Sequence, residues 1–393
     1  MHRFPTSGSR TSFSATASAT AFILILTVIT SIASLPLAGQ SAIPNAQEKL
    51  DQLEPLGIGL EGGAYPFPVH YLELVIEGQT VRMAYMDVAP GGAANGKTVV
   101  LLHGKSFSGN YWETTIKELS AIGYRVVVPD QLGFGKSSKP DIRYSFDLLA
   151  GNTRKLLESL GIAKAAIVGH SFGGMLAVYF ARDYPETTTV LALENPIGIE
   201  DYRSVIPPQP LDTLFATEMA QTPDSYSKFL KAFFLQWTPA QDKMVEQFAR
   251  ILKSPEYPRY ARASALIYQM MYQQPIRHEY KLLSMPTLLV IGQGDRSVFF
   301  RRYADPEKIK SLGHWPELGR AAFKDLKDGK LVEIEGAGHV SHMEKPQEFN
   351  TALKAFLSER FLGICRYVPL RTEKYSLASR RSRRIAMATK ITA

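Results

Sequence analysis

Cysteine is nearly missing from this chain: Cys365 is the only one in 393 residues. An intramolecular disulfide is therefore excluded, yet a chain of this length can bury enough core to do without one, even outside the cell. Cys365 also closes the last helical pattern, a poor place for a nucleophile. The eight histidines are dispersed, with no His-x-x-x-His or comparable spacing, so no metal site is expected. Repeats, glycine-serine linkers and long low-complexity blocks are absent too. Gly133-Phe134-Gly135-Lys136-Ser137 shares the ending of a phosphate-binding loop but lacks its upstream glycine and its strand-to-helix placement. It reads as a tight loop under a pocket, and no cofactor is expected.

Charge of one sign is also missing from the body. The formal net charge of +8 comes from the ends. Residues 366–393 hold eight Lys or Arg against Glu373, and Arg3 and Arg10 precede an apolar stretch from Ala19 to Ala38. The 42–365 body is nearly neutral, with 35 basic and 36 acidic residues. A nucleic-acid partner would need basic residues gathered on a folded face. Here Arg380-Arg381-Ser382-Arg383-Arg384 lies in a polar tail without apolar periodicity, which reads as solvated and disordered. Weak contact with an anionic membrane surface is its functional alternative.

The amino end, residues 1–41, reads as a secretory signal peptide, with cleavage between Ala33 and Ala42. The expected location is the periplasm or the exterior; an uncleaved anchor is the alternative. Gln40 stands where a lipidated cysteine would be, so lipidation is excluded.

Two partly alternating segments, Tyr71–Ile76 and Val81–Tyr85, predict a hairpin turning at Glu77-Gly78-Gln79. Continuous apolar runs follow at 98–102, 125–128, 165–168, 189–193, 287–291 and 331–334. Strands buried on both faces read this way, and the intervals carry helical spacings, so a mostly parallel sheet flanked by helices is expected. The stretch between Gly198 and Tyr280 lacks such runs but carries Tyr226, Phe229, Phe233, Trp237, Phe248, Tyr268 and Met271 at helical spacing. We read it as a helical cap, 197–281, between core segments 42–196 and 282–365. Most of its aromatic stripe should form a private core, with a minority lining a cavity.

The strand Ile167-Val168 runs into Gly169-His170-Ser171-Phe172-Gly173 and then a helix expected near Met175. Glycines at 169 and 173 let the backbone fold into a strained elbow that exposes Ser171 as a nucleophile. A serine hydroxyl needs a base, and the base needs an orienting acid, in the order Ser, acid, His. Asp295 follows one buried strand and His339 another. Glu194 is a rival acid and His342 a rival base, whereas His314 and Trp315 read as surface or packing residues. The oxyanion would be held by the N–H of Phe172 and that of Lys105, with Ser106 as the alternative. The Lys105 ammonium either favours an anionic substrate or points into solvent. His103, Ser106, Trp112, Phe233 and Trp237 are candidate pocket residues.

The pattern resembles the α/β-hydrolase family, especially its capped bacterial members. The resemblance rests on Leu102-His103-Gly104, the run Val128 to Ser138, the serine elbow, Gly294-Asp295 and Gly338-His339, and spans Tyr71 to Phe361. It implies an eight-stranded sheet, a helical lid between strands six and seven, and hydrolysis through an acyl-enzyme. Haloalkane dehalogenases and epoxide hydrolases of that fold carry aspartate where Ser171 stands, and proline soon after His-Gly where this chain has Lys105-Ser106-Phe107. Both activities are thereby disfavoured. A carboxylic ester of a small or medium apolar acyl compound is the expected substrate. An amide or a diketone carbon–carbon bond is the alternative, and a non-catalytic ligand-binding protein the contrasting class. The oligomeric state is left open.

Overall fold

The structure, a computed structural model, describes residues 50 and 52–362. The expected signal peptide, Cys365 and the basic tail lie outside the described residues. No helix among the described residues is long and apolar enough to cross a membrane.

Eight strands form one sheet: β1 (Val69–Ile76), β2 (Gln79–Val88), β3 (Thr98–Leu102), β4 (Arg125–Pro129), β5 (Ala165–His170), β6 (Thr188–Glu194), β7 (Thr287–Gly292) and β8 (Gly329–Ile334). Their spatial order is β1-β2-β4-β3-β5-β6-β7-β8. β1 and β2 pair antiparallel, as do β2 and β4, and every later pairing is parallel. The β1–β2 hairpin closes on Glu77 and Gly78, both at positive φ, the conformation whose twist matches paired strands.

The apolar runs are explained by what covers the sheet. Val100, Leu102, Ile167, Leu191 and Leu289 face one core with α2 (Phe146–Ser159) and α3 (Phe172–Asp183). Their neighbours Val99, Leu101, Val168, Ala192 and Leu288 face a second core with α1 (Glu113–Ala121) and α10 (Pro346–Leu362). Alternate side chains point to opposite faces, and both faces are covered, so polar residues are confined to the strand ends: threonines at the starts, His170 and Glu194 at the finishes.

Between β6 and β7 run α4 (Leu211–Met219), α5 (Pro223–Lys231), α6 (Pro239–Leu252) and α7 (Tyr257–Gln273). Thr222 and Thr238 cap α5 and α6 with reciprocal capping boxes, each followed by proline at the first helical position. Tyr226, Leu230, Phe234, Phe248 and Tyr257 form a separate apolar cluster, joined by Leu56, Ile58 and Leu60 from the segment before β1. After β7, the chain passes through α8 (Trp315–Phe323) before β8, and α9 (Ser341–Glu344) precedes α10.

Candidate active site

Ser171 sits between β5 and α3 with φ 57° and ψ −116°, a left-handed backbone that costs a non-glycine residue about 1–3 kcal/mol. The helix starts at Phe172, three residues earlier than expected, so the serine itself is the N-cap position. The flanking glycines are required by close approach. A Cβ at Gly169 would lie 2.1 Å from the Gly173 carbonyl oxygen, and one at Gly173 would lie 2.2 Å from that of Leu102. The elbow thus presses directly on the end of β3.

The three residues singled out from the sequence stand in one hydrogen-bonded line. Ser171 Oγ is 2.8 Å from His339 Nε2, and His339 Nδ1 is 2.6 Å from Asp295 Oδ2. Asp295 is 1 % exposed and accepts two further hydrogen bonds, from Asn195 Nδ2 at 2.8 Å and from the Ser297 N–H at 2.8 Å. A buried carboxylate needs such donors, and together they fix the face it turns to the imidazole. Because Asp295 accepts at Nδ1, the proton belongs there, and Nε2 is left as acceptor for the serine hydroxyl. Ser297 Oγ lies 3.1 Å from the same Nδ1.

The rivals are engaged elsewhere. Glu194 accepts hydrogen bonds from the backbone N–H and from Nδ1 of His342, each at 2.8 Å, and the His342 ring stacks on Trp112 at 3.9 Å. This pair lies behind the line. His314 Nε2 donates to the Lys310 carbonyl oxygen at the surface, while Trp315 packs edge-on to His339, with its indole N–H on the Ser297 carbonyl oxygen.

A second chain of hydrogen bonds, missed in the sequence, joins the β3 loop to the histidine loop. The Gly104 N–H donates to Tyr111 Oη at 2.8 Å, Tyr111 Oη–H donates to His170 Nδ1 at 2.9 Å, and His170 Nε2–H donates to the His339 carbonyl oxygen at 2.9 Å. Burial, with His339 and His342 close by, holds the His170 imidazole well below its ordinary value, and burial keeps the Tyr111 hydroxyl protonated. Both links are therefore neutral.

The N–H of Phe172, first residue of α3, has no acceptor inside its helix and points with the positive end of the helix dipole. The Gly104 N–H is spent on Tyr111, which leaves that of Lys105 as the second candidate donor. Lys105 and Ser106 occupy the centre of a turn closed by the Phe107 N–H on the Gly104 carbonyl oxygen at 3.3 Å, with Ser106 at φ 70°.

Ser171 opens into a cavity of about 740 Å³. Of the five candidate pocket residues Phe233 lines it and the other four do not; Lys105, expected as an oxyanion donor, lines it as well. His103 is fully buried: its Nε2 accepts from the Gln131 N–H and its Nδ1 donates to the Gly104 carbonyl oxygen, so it braces the loop. Trp112 is buried against His342, Trp237 donates to Asp242 on the surface of the cap, and Ser106 faces a smaller pocket of about 280 Å³. The cap contributes Leu214, Phe229 and Tyr268, and the loop after Asp295 contributes Phe299 and Phe300. Sequence reasoning missed that loop, although the run Phe299-Phe300-Arg301-Arg302-Tyr303 was visible beside Asp295. The cap is also tied to the histidine loop. His339 N–H donates to the Phe233 carbonyl oxygen at 2.8 Å, and Glu344 accepts from Leu235 N–H at 2.6 Å and Gly338 N–H at 2.7 Å.

Comparison with known proteins agrees with this architecture. A family model described as the alpha/beta hydrolase fold matches residues 97–346. Among solved structures, a probable hydrolytic enzyme from Pseudomonas aeruginosa PAO1 is similar at 40% identity, over 77% of this chain and 98% of its own, with a TM-score of 0.75. A 2-hydroxy-6-oxononadienedioate/2-hydroxy-6-oxononatrienedioate hydrolase of Comamonas testosteroni is 27% identical, over 68% of this chain and 89% of its own. Epoxide hydrolase 1 of Caenorhabditis elegans is 26% identical, over 71% of this chain and 68% of its own. With its sheet order, serine elbow and inserted helices, the chain belongs to the α/β-hydrolase fold family.

Proposed function

We propose that this hydrolase cleaves a carboxylic ester of a small or medium acyl compound through an acyl-enzyme on Ser171. One observation carries the reading: Ser171 Oγ lies 2.8 Å from Nε2 of an imidazole whose other nitrogen is held by a buried carboxylate. His339 Nε2 takes the hydroxyl proton as Oγ attacks the carbonyl carbon, and Asp295 stabilises the imidazolium. The negative charge gathers on the carbonyl oxygen, facing the N–H groups of Phe172 and Lys105. As the tetrahedral adduct collapses, Nε2 gives its proton to the leaving alkoxide. The same nitrogen then takes a proton from water, which attacks the acyl-enzyme and releases the acid. The serine at this position argues against the epoxide chemistry named for the nematode relative.

The Comamonas relative, named for cleaving an oxo-dienedioate, favours a second reading: attack of the same serine on a ketone, with carbon–carbon cleavage. The test is a panel of 4-nitrophenyl acyl esters, matched amides and vinylogous diketones, assayed with the parent and with Ser171→Ala. Ester turnover that vanishes in the variant supports the first reading. Turnover of diketones alone replaces it with the second, and ester turnover that survives Ser171→Ala refutes both.

A further inference from the structure

The cavity that opens on Ser171 has a charge bias that ester cleavage by itself does not call for. Its wall holds six cationic side chains and one carboxylate, Glu218. Several of the six are already occupied. Lys228 pairs with Asp224 at 2.8 Å, Lys231 lies over the Trp237 ring, and Arg296 donates to the carbonyl oxygens of Gln293 and Asp295.

Lys105 and Arg302 differ from these, as does Arg301 beside Arg302, which forms no ion pair among the described residues. Lys105 leaves the oxyanion loop and turns its ammonium into the cavity, where Nζ donates to Ser264 Oγ at 3.0 Å and lies 3.5 Å from the centre of the Tyr268 ring. Ser264 passes the contact on, donating to Glu218 Oε2 at 2.6 Å. An ammonium has three N–H donors, and among the described residues one of them is spent. Arg302 is close enough to push the Lys105 ammonium toward its neutral form and forms no ion pair among the described residues. Glu218 offsets one of the two cations, so this part of the wall stays net positive beside Leu214, Phe229, Phe233, Phe299 and Phe300. Arg302 is exposed at the rim while Lys105 reaches in from the oxyanion loop with N–H donors unspent, so a carboxylate between them would accept charge-assisted hydrogen bonds from both.

We propose that Lys105 and Arg302 receive a carboxylate at the far end of the substrate, so that the preferred ester is one whose apolar chain ends in a free acid. The inference rests on the ester reading above and names its substrate class. A carboxylate has two oxygens, enough to accept from both cations at once. The oxyanion loop thereby does two things with one residue: its backbone N–H faces the reacting carbonyl, and its side chain faces the remote acid.

The test compares two esters that differ only at the far end. One is mono-4-nitrophenyl adipate, with a free terminal carboxylate; the other is its methyl-capped counterpart, 4-nitrophenyl methyl adipate. The parent should prefer the free acid in kcat/KM by about tenfold or more, the effect of one or two charge-assisted hydrogen bonds. Arg302→Gln, on an exposed surface loop, and Lys105→Met should each lower that ratio about tenfold. Reading a ratio cancels any general loss of activity. Equal kcat/KM for the two esters, or a ratio unmoved in both variants, overturns the anionic site while leaving the ester reading intact. Calorimetry with monomethyl adipate and dimethyl adipate separates the opposite failure. If neither nitrophenyl ester turns over, tighter binding of the half-acid, weakened by Arg302→Gln, retains the site and refutes the ester reading. Equal binding overturns the site.

Discussion

Tyr111→Phe removes one oxygen from the path that joins the oxyanion loop to His339. The ring stays: it stacks on Phe107 at 5.0 Å and meets His342 edge-on at 4.6 Å, contacts that phenylalanine keeps. Two buried groups lose their partners, the Gly104 N–H and His170 Nδ1. At about 1–3 kcal/mol for each unsatisfied group, the variant should lose about 2–6 kcal/mol. For a chain of this size that corresponds to a fall in Tm of roughly 5–10 °C. Kinetics should follow the geometry. The Lys105 N–H adjoins the released Gly104 peptide, so charge stabilisation in the transition state suffers more than ground-state binding. We expect kcat for a 4-nitrophenyl ester to drop about tenfold with KM nearly constant, since a lost oxyanion donor costs more than a displaced one. Thermal unfolding and initial-rate kinetics on the purified variant check both. A Tm within one degree of the parent, together with kcat within about twofold, would refute the reasoning, because two buried polar groups cannot be orphaned for nothing.

Asp295→Asn should preserve the fold yet lower kcat on the order of 10⁴-fold, because the amide favours the wrong imidazole tautomer; matching circular dichroism and ester kinetics check this. Gly173→Ala should fail to give soluble protein, since its Cβ would sit 2.2 Å from the Leu102 carbonyl oxygen; soluble yield decides it. Burial lowers the Lys105 ammonium to about 8, with Glu218 opposing the shift and Arg302 adding to it. The protonated form binds the anion, so preference for the free-acid ester should be full below that pH and fall as pH rises through it. The groups facing Nζ are Glu218 from α4, Ser264 and Tyr268 from α7, and Arg302 from the loop after β7, and the methyl-capped ester corrects for every other titration.

Much of the fold was readable because the inner strands are buried on both faces: after their opening threonines, Thr98–Leu102 and Thr287–Gly292 have no polar positions to confuse the pattern. The candidate site was readable where chemistry demands a residue type at a strand end, as at Ser171, Asp295 and His339. Chain order fits both Asp295 and Glu194, and Asp295 was preferred for its place just past the 287–291 run; the structure adds the physical reason: His342 takes Glu194, while Asn195 and Ser297 turn Asp295 toward His339. Pocket residues were harder. His103 and Trp112 follow β3, whose end abuts the serine elbow, yet backbone partners and stacking draw them inward. Phe299 and Phe300 belong to an aperiodic loop whose path depends on tertiary contacts, and the packing of Leu56 to Leu60 against the cap leaves no pattern in a short irregular segment. The direction of the Lys105 side chain was undecidable from sequence, since Ser264 and Glu218, which hold it, lie more than a hundred residues away.

The central claim is a covalent bond at Ser171, and trapping that bond tests it most directly. Purified protein is mixed with a 4-nitrophenyl ester, quenched in acid within the first turnovers, digested and read by mass spectrometry. The account predicts one acyl adduct on the peptide containing Gly169-His170-Ser171-Phe172-Gly173, absent in Ser171→Ala. A steady burst of nitrophenol with no adduct on that peptide, or an adduct on another residue that persists in Ser171→Ala, would contradict it.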